Sequence, residues 1–102
     1  MVVICEHQLC GYMLVEEGKQ VKRLDEGDVI IIRKYGKWKC VQWAVLDNGI
    51  PYLKSLEDDE KDEYEFDGCE AQFISQKPTS ETELIVVKNR AFLRGEHSII
   101  RN

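Results

Sequence analysis

The sequence predicts a mainly β, single-domain protein over residues 1–102: an SH3-like small barrel or a compact β-sandwich of five to seven short strands, with one C-terminal helix as an open alternative. Two observations carry this. Short apolar or alternating runs recur along the chain, and Gly-, Asn- or Asp-containing turn signals punctuate them roughly every eight to twelve residues. A third sets the scale: 102 residues with 43% hydrophobic content suffice for one modest core without a metal or disulfide.

The elements follow in order. Residues 1–5 are apolar and β-branched and read as a first strand or a frayed end, interrupted at His7 and Gln8. Gly11 opens a second strand over 12–15. Glu16-Glu17-Gly18 is a turn, and 19–24, with Lys22 and Arg23 around Val21, is a charged edge strand. Asp25-Glu26-Gly27-Asp28 is a strong turn. Residues 29–32 are wholly β-branched, as in a strand covered on both faces. Tyr35-Gly36 turns the chain into a long alternating strand over 37–46. Its core face is expected to be Val41, Trp43 and Val45, which leaves Trp38 and Gln42 on the other face. Asn48-Gly49 favours a type I′ hairpin turn, and 50–53 returns as a strand that Pro51 marks as an edge.

Beyond this hairpin, 55–61 reads as a solvated loop. In 63–67 acids alternate with Tyr64 and Phe66, as in a short strand with one acidic face, and 69–75 is a further strand candidate. The last element is open. Ser80-Glu81-Thr82-Glu83 matches a capping box, and a helix over 80–94 would stop at Gly95. The run Leu84-Ile85-Val86-Val87 is strand-like, and the balance favours a strand over 83–88, with a last short strand over 97–100.

Charge is unevenly spread. The net −5 belongs to residues 57–67, which hold eight acids and one lysine for a local −7; the rest of the chain is +2. Such a chain has no global field to attract nucleic acid. No apolar run approaches bilayer length, the N-terminus lacks the basic region of a signal peptide, and four cysteines without an export signal point to a reducing cytoplasm.

The chain lacks most of the parts that catalysis needs. Cys5 and Cys10 flank His7, but no third orienting group or oxyanion-hole signature accompanies them, so no enzyme is expected. The same Cys5, His7 and Cys10 are the only local zinc set, and no second Cys-x2-Cys or His-x3-His pair completes it. The acids Asp58, Asp59 and Glu60 do not open an EF-hand loop. Gly27, Gly36 and Gly49 are turn glycines with no helix following to bind phosphate. No cofactor is expected.

Three function classes remain, the third being a zinc-stabilised module built on Cys5, His7 and Cys10. The favoured one is a non-enzymatic domain that binds another protein, as a regulator or inhibitor. Its contact residues would be Tyr35 and Trp38, the types that anchor interfaces, with Asp58, Asp59, Glu60, Asp62, Glu63, Glu65 and Asp67 steering a basic or nucleic-acid-binding partner. Imitation of nucleic acid would be partial, since a strand face carries a charge every ~6.8 Å and duplex DNA one per ~1.7 Å of axis. The alternative is a nucleic-acid-binding barrel in which Arg33, Lys34, Lys37 and Lys39 track phosphates around Trp38.

The central stretch also bears two resemblances. Gly27-Asp28-Val29, the buried strand, the long strand, the Asn48-Gly49 turn and Tyr52-Leu53 together look like the β-hairpin of LexA-like and signal-peptidase-like serine–lysine proteases, over about a quarter of the chain. That family needs a serine shortly before the Gly-Asp and a lysine in the second strand. Here 19–28 contains no serine and Gln42 stands in the lysine's place, so the resemblance implies a hairpin without the catalytic pair. The same stretch is similar to the strand-turn-strand of SH3-like barrels, without their acidic-aromatic peptide-binding motifs.

Overall fold

The computed structural model describes residues 1–7, 11–57 and 66–100, with backbone only for 97–100. Its elements are β1 (Val2–His7), β2 (Gly11–Glu16), β3 (Lys19–Arg23), β4 (Val29–Lys34), β5 (Lys37–Val45), β6 (Pro51–Ser55), β7 (Ala71–Ser75) and α1 (Glu81–Ile100). The seven strands form two antiparallel sheets, ordered β1-β2-β3 and β6-β5-β4-β7. An isolated bridge between Val3 and Glu70, with Ile4 N–H donating to Cys69 O (2.9 Å) and Gly68 N–H to Ile4 O (2.7 Å), stitches β1 to the approach to β7. No helix among the described residues is long and apolar enough to cross a membrane.

Strand alternation divides the interior into two layers. Ile30 and Ile32 of β4 and Val41 of β5 point toward the first sheet, where they pack with Ile4, Tyr12, Leu14, Leu24, Leu53, Phe66 and Ala71. Val29 and Ile31, the intervening residues of β4, point the other way and pack with Cys40, Ile74, Val87 and Ala91 under α1. The run 29–32 is therefore buried on both faces, as its uniform β-branching predicts.

Three turns set the hairpins. Glu17-Gly18 and Tyr35-Gly36 are two-residue loops between the pairs Glu16–Lys19 and Lys34–Lys37, with positive φ at both central residues (52° and 79°; 53° and 75°). This is the type I′ pattern, whose twist matches that of the flanking strands. The expected type I′ turn at Asn48-Gly49 does not form. Gly49 N–H closes a turn on Leu46 O (2.8 Å), Leu46 N–H donates to Ile50 O (2.9 Å), and of the loop residues only Gly49 has positive φ (85°). The result is a three-residue loop, Asp47-Asn48-Gly49, in which Asn48 Oδ1 accepts from Ile50 N–H (3.2 Å).

The largest correction concerns the C-terminus. Residues 83–88 and 97–100 are not strands; both belong to α1. The cap decides the start: Ser80 Oγ accepts from Glu83 N–H (3.1 Å), and Glu83 Oε2 accepts from the Thr79 N–H (3.1 Å) and hydroxyl (2.5 Å). The Thr79 hydroxyl, and then its amide, hold the Glu83 carboxyl below the usual value. The helix also runs through Gly95 rather than stopping there. A methyl group at Gly95 would lie 2.8 Å from Trp38 Cβ, so this glycine lets α1 approach β5.

Candidate functional site

Among the described residues, Tyr35 and Trp38 do not face the same way. Tyr35 stands at the β4–β5 tip, 82% exposed, in a left-handed conformation that costs a non-glycine residue roughly 1–2 kcal/mol. Lys34 Nζ lies 5.7 Å from the Tyr35 ring and 5.4 Å from the Phe66 ring, linking the tip to the inter-sheet side. Trp38 faces the opposite way. It is half-buried against the layer under α1, and its Nε1 is buried with no hydrogen-bond partner among the described residues. The expectation of a joint Tyr35–Trp38 surface is thereby corrected: the alternation of β5 turns Trp38 to the helix side, and α1 was not expected there.

The basic set is divided in the same way. Strand alternation puts Lys34, Lys37 and Lys39 on the inter-sheet side. Arg33 lies on the other, where Nη1 is 3.6 Å from Glu70 Oε1. The aromatic that was to interleave with the lysines, Trp38, is on the far face.

Of the acidic set, Asp58, Asp59, Glu60, Asp62, Glu63 and Glu65 lie outside the described residues, as does the expected strand over 63–67 except for its end. There Phe66 is buried, and Asp67 Oδ1 accepts from Glu6 N–H (2.9 Å), so that carboxylate holds β1 in place. Cys5 and His7 share one face of β1; Cys10 lies outside the described residues. No group of three or more metal-ligating side chains occurs among the described residues. Gln42, at the position of the protease lysine, donates from Nε2 to Gly27 O (2.9 Å) and braces the turn before β4.

The core-face expectation for β5 needs a second correction. Val41 is buried and Trp43 half-buried, its indole edge-on to Tyr12 (centroids 6.2 Å apart), but Val45 is 38% exposed. Cys40, on the face opposite Val41 and read from its residue type as a small buried hydrophobe, is 2% exposed. Burial first, and Glu57 nearby second, push its thiol up to about 12.

The feature that the strand reading of 83–88 passed over, although a helix over 80–94 stood as its alternative, is the outer face of α1. The helix's inward stripe is Leu84, Val87, Ala91 and Gly95, at helical spacing. Arg90 Nη1 donates to Ile74 O (3.4 Å) and Arg94 Nη1 to Phe73 O (2.9 Å), tying the helix to edge strand β7. On the outer side Ile85 (60%), Val86 (51%), Phe92 (61%) and Leu93 (64%) are exposed. At about 100° per residue these four span one third of the helix circumference. Beside them a groove of about 440 Å³ opens between α1 and β5, lined by Ile31, Trp38, Glu57, Ala91, Phe92, Gly95 and Glu96. Glu57 Oε1 accepts from Cys40 N–H (3.1 Å), which fixes that carboxylate at the groove. The signal was present in the sequence: Ile85/Phe92 and Val86/Leu93 are both seven apart. It becomes readable only once the segment is known to be a helix.

Comparison of the chain with protein-family models, with curated proteins and with solved structures gave no match.

Proposed function

We propose that this domain is a non-enzymatic, cytoplasmic protein-binding module, acting as a regulator or inhibitor, and that it docks its partner on the outer face of α1. The observation that carries this is the exposed row Ile85, Val86, Phe92 and Leu93, on a helix whose opposite face is already buried. A helix apolar on both sides has one face to spare, and exposed apolar side chains gathered on one third of a helix, here around Asn89, mark an interaction site. Tyr35, held at the tip in a conformation tyrosine disfavours, is a second contact. The three described cysteines are free thiols, in keeping with a reducing compartment. We also read the two sheets as an SH3-like small barrel, since the Val3–Glu70 bridge extends the first sheet toward the second.

The test is capture from native cell extract on immobilised domain, with wild type compared with Ile85→Glu/Phe92→Glu. Loss of a specific protein from the variant supports the reading; an unchanged captured set refutes it. Oligonucleotide binding that falls steeply with salt and survives in this variant would instead support the nucleic-acid-binding barrel.

A further inference from the structure

Resting on the protein-binding reading, we propose that the groove between α1 and β5 receives an apolar side chain from a basic segment of a partner protein, whose flanking lysines or arginines engage Glu57 and Glu96. The lining explains both halves of this specificity. Ile31, Trp38, Ala91 and Phe92 offer an apolar surface, and the two charges among the lining residues are both carboxylates. The volume, about 440 Å³, accommodates an anchoring side chain rather than a folded element.

The two arginines of α1 are committed elsewhere. Arg90 and Arg94 reach the carbonyls of β7, on the side away from the groove. Lys88, one turn before Phe92 on the groove side of the helix and close enough to Cys40 to act on its thiol, stands at the margin of the groove rather than in its lining, so a basic partner segment must approach from the Glu96 end. Glu57 and Glu96 would repel an acidic partner segment and favour a basic one.

The experiment uses isotope-labelled domain and two synthetic amphipathic peptides of equal length, one of leucine and lysine, the other of leucine and glutamate. The lysine peptide is expected to shift the Trp38 indole and the Ala91 and Gly95 amides while sparing β2 and β3. Its affinity should fall about tenfold in Glu57→Gln/Glu96→Gln, which keeps an acceptor for Cys40 N–H, and should fall further with added salt. Equal binding of both peptides, shifts elsewhere, or no binding at low salt would overturn the proposal. So would self-association by sedimentation that the double variant abolishes, which would assign the groove to a second copy.

Failure here is separable from failure of the parent reading. If extract partners are lost in Ile85→Glu/Phe92→Glu but kept in Glu57→Gln/Glu96→Gln, protein binding stands and the basic partner does not.

Discussion

The two faces of β4 meet different kinds of cover. Toward the first sheet, Ile30 and Ile32 are enclosed by a second layer of strands that brings Ile4, Tyr12, Leu14 and Leu24 over them. Toward the C-terminus, Val29 and Ile31 are covered by a single helix that contributes Val87 and Ala91. A sheet covers a sheet broadly, whereas one helix covers a strip about 10 Å wide. The first layer is therefore closed. The second leaves a groove at its margin and an apolar face turned outward. In this molecule the larger buried cluster is the inter-sheet layer, and the exposed apolar side chains of α1 lie over the other.

That contrast can be broken by experiment. The largest effect belongs to the closed layer. Ile30→Ala should cost about 3–4 kcal/mol, because a fully buried aliphatic side chain leaves a cavity that enclosing strands cannot fill. Val87→Ala, under the helix, should cost about 2 kcal/mol, since fewer methylenes are removed and the helix can settle. Urea unfolding of the pair measures both; equal costs would show that the helix layer is as tightly enclosed as the other.

Gly95→Ala comes next. In an exposed helix this change stabilises by about 0.5–1 kcal/mol. Here the new methyl meets Trp38 Cβ at 2.8 Å, so the expectation is a net loss of about 1 kcal/mol. A gain in thermal midpoint would mean that α1 is not held against Trp38.

Cys40 reports on the same layer through its thiol. The native thiol keeps its proton up to about 12, while in the unfolded chain it ionises near 9. The native state thus binds more protons between these values, so its contribution to stability is complete below about 9 and is lost as pH rises toward 12. Cys40 should resist alkylation at pH 8 until the protein unfolds, with Cys5 and Cys69, both half-buried, reacting earlier. Early labelling of Cys40 would reveal frequent opening beneath α1.

The smallest stability effect is expected on the outer face. Phe92→Ser should change unfolding free energy by no more than about 0.5 kcal/mol, because the ring is 61% exposed, while reducing partner capture. A large destabilisation would place Phe92 in the core and remove the basis for a docking face.

Much of the strand layout was legible in the residues. β2, β4, β5 and β7 fall within a residue or two of the expected runs. β3 and β6 are edges, as the charges beside Val21 and the proline at 51 imply. Period-two alternation and turn glycines are local signals, and local geometry obeys them. The errors cluster where one signal served two outcomes. Leu84-Ile85-Val86-Val87 is equally a strand core or, as here, a helix segment divided between an inward pair and an outward pair. Asn48-Gly49 names a turn without choosing its length. Trp38 could be read as exposed only while nothing was known to cover its face of β5.

Strand order within the hairpins, the two-residue turns at Glu17-Gly18 and Tyr35-Gly36, and the double burial of β4 are consequences of neighbouring residues in the chain. The groove is not, because its walls come from residues as far apart as Ile31, Glu57 and Glu96. Which side α1 would lie on, and so which of its two apolar faces would be left uncovered, depended on the fit of Ala91 and Gly95 to Cys40 and Trp38. Packing between distant elements is decided by shape and volume, and neither can be read from a pattern of hydrophobicity along a chain.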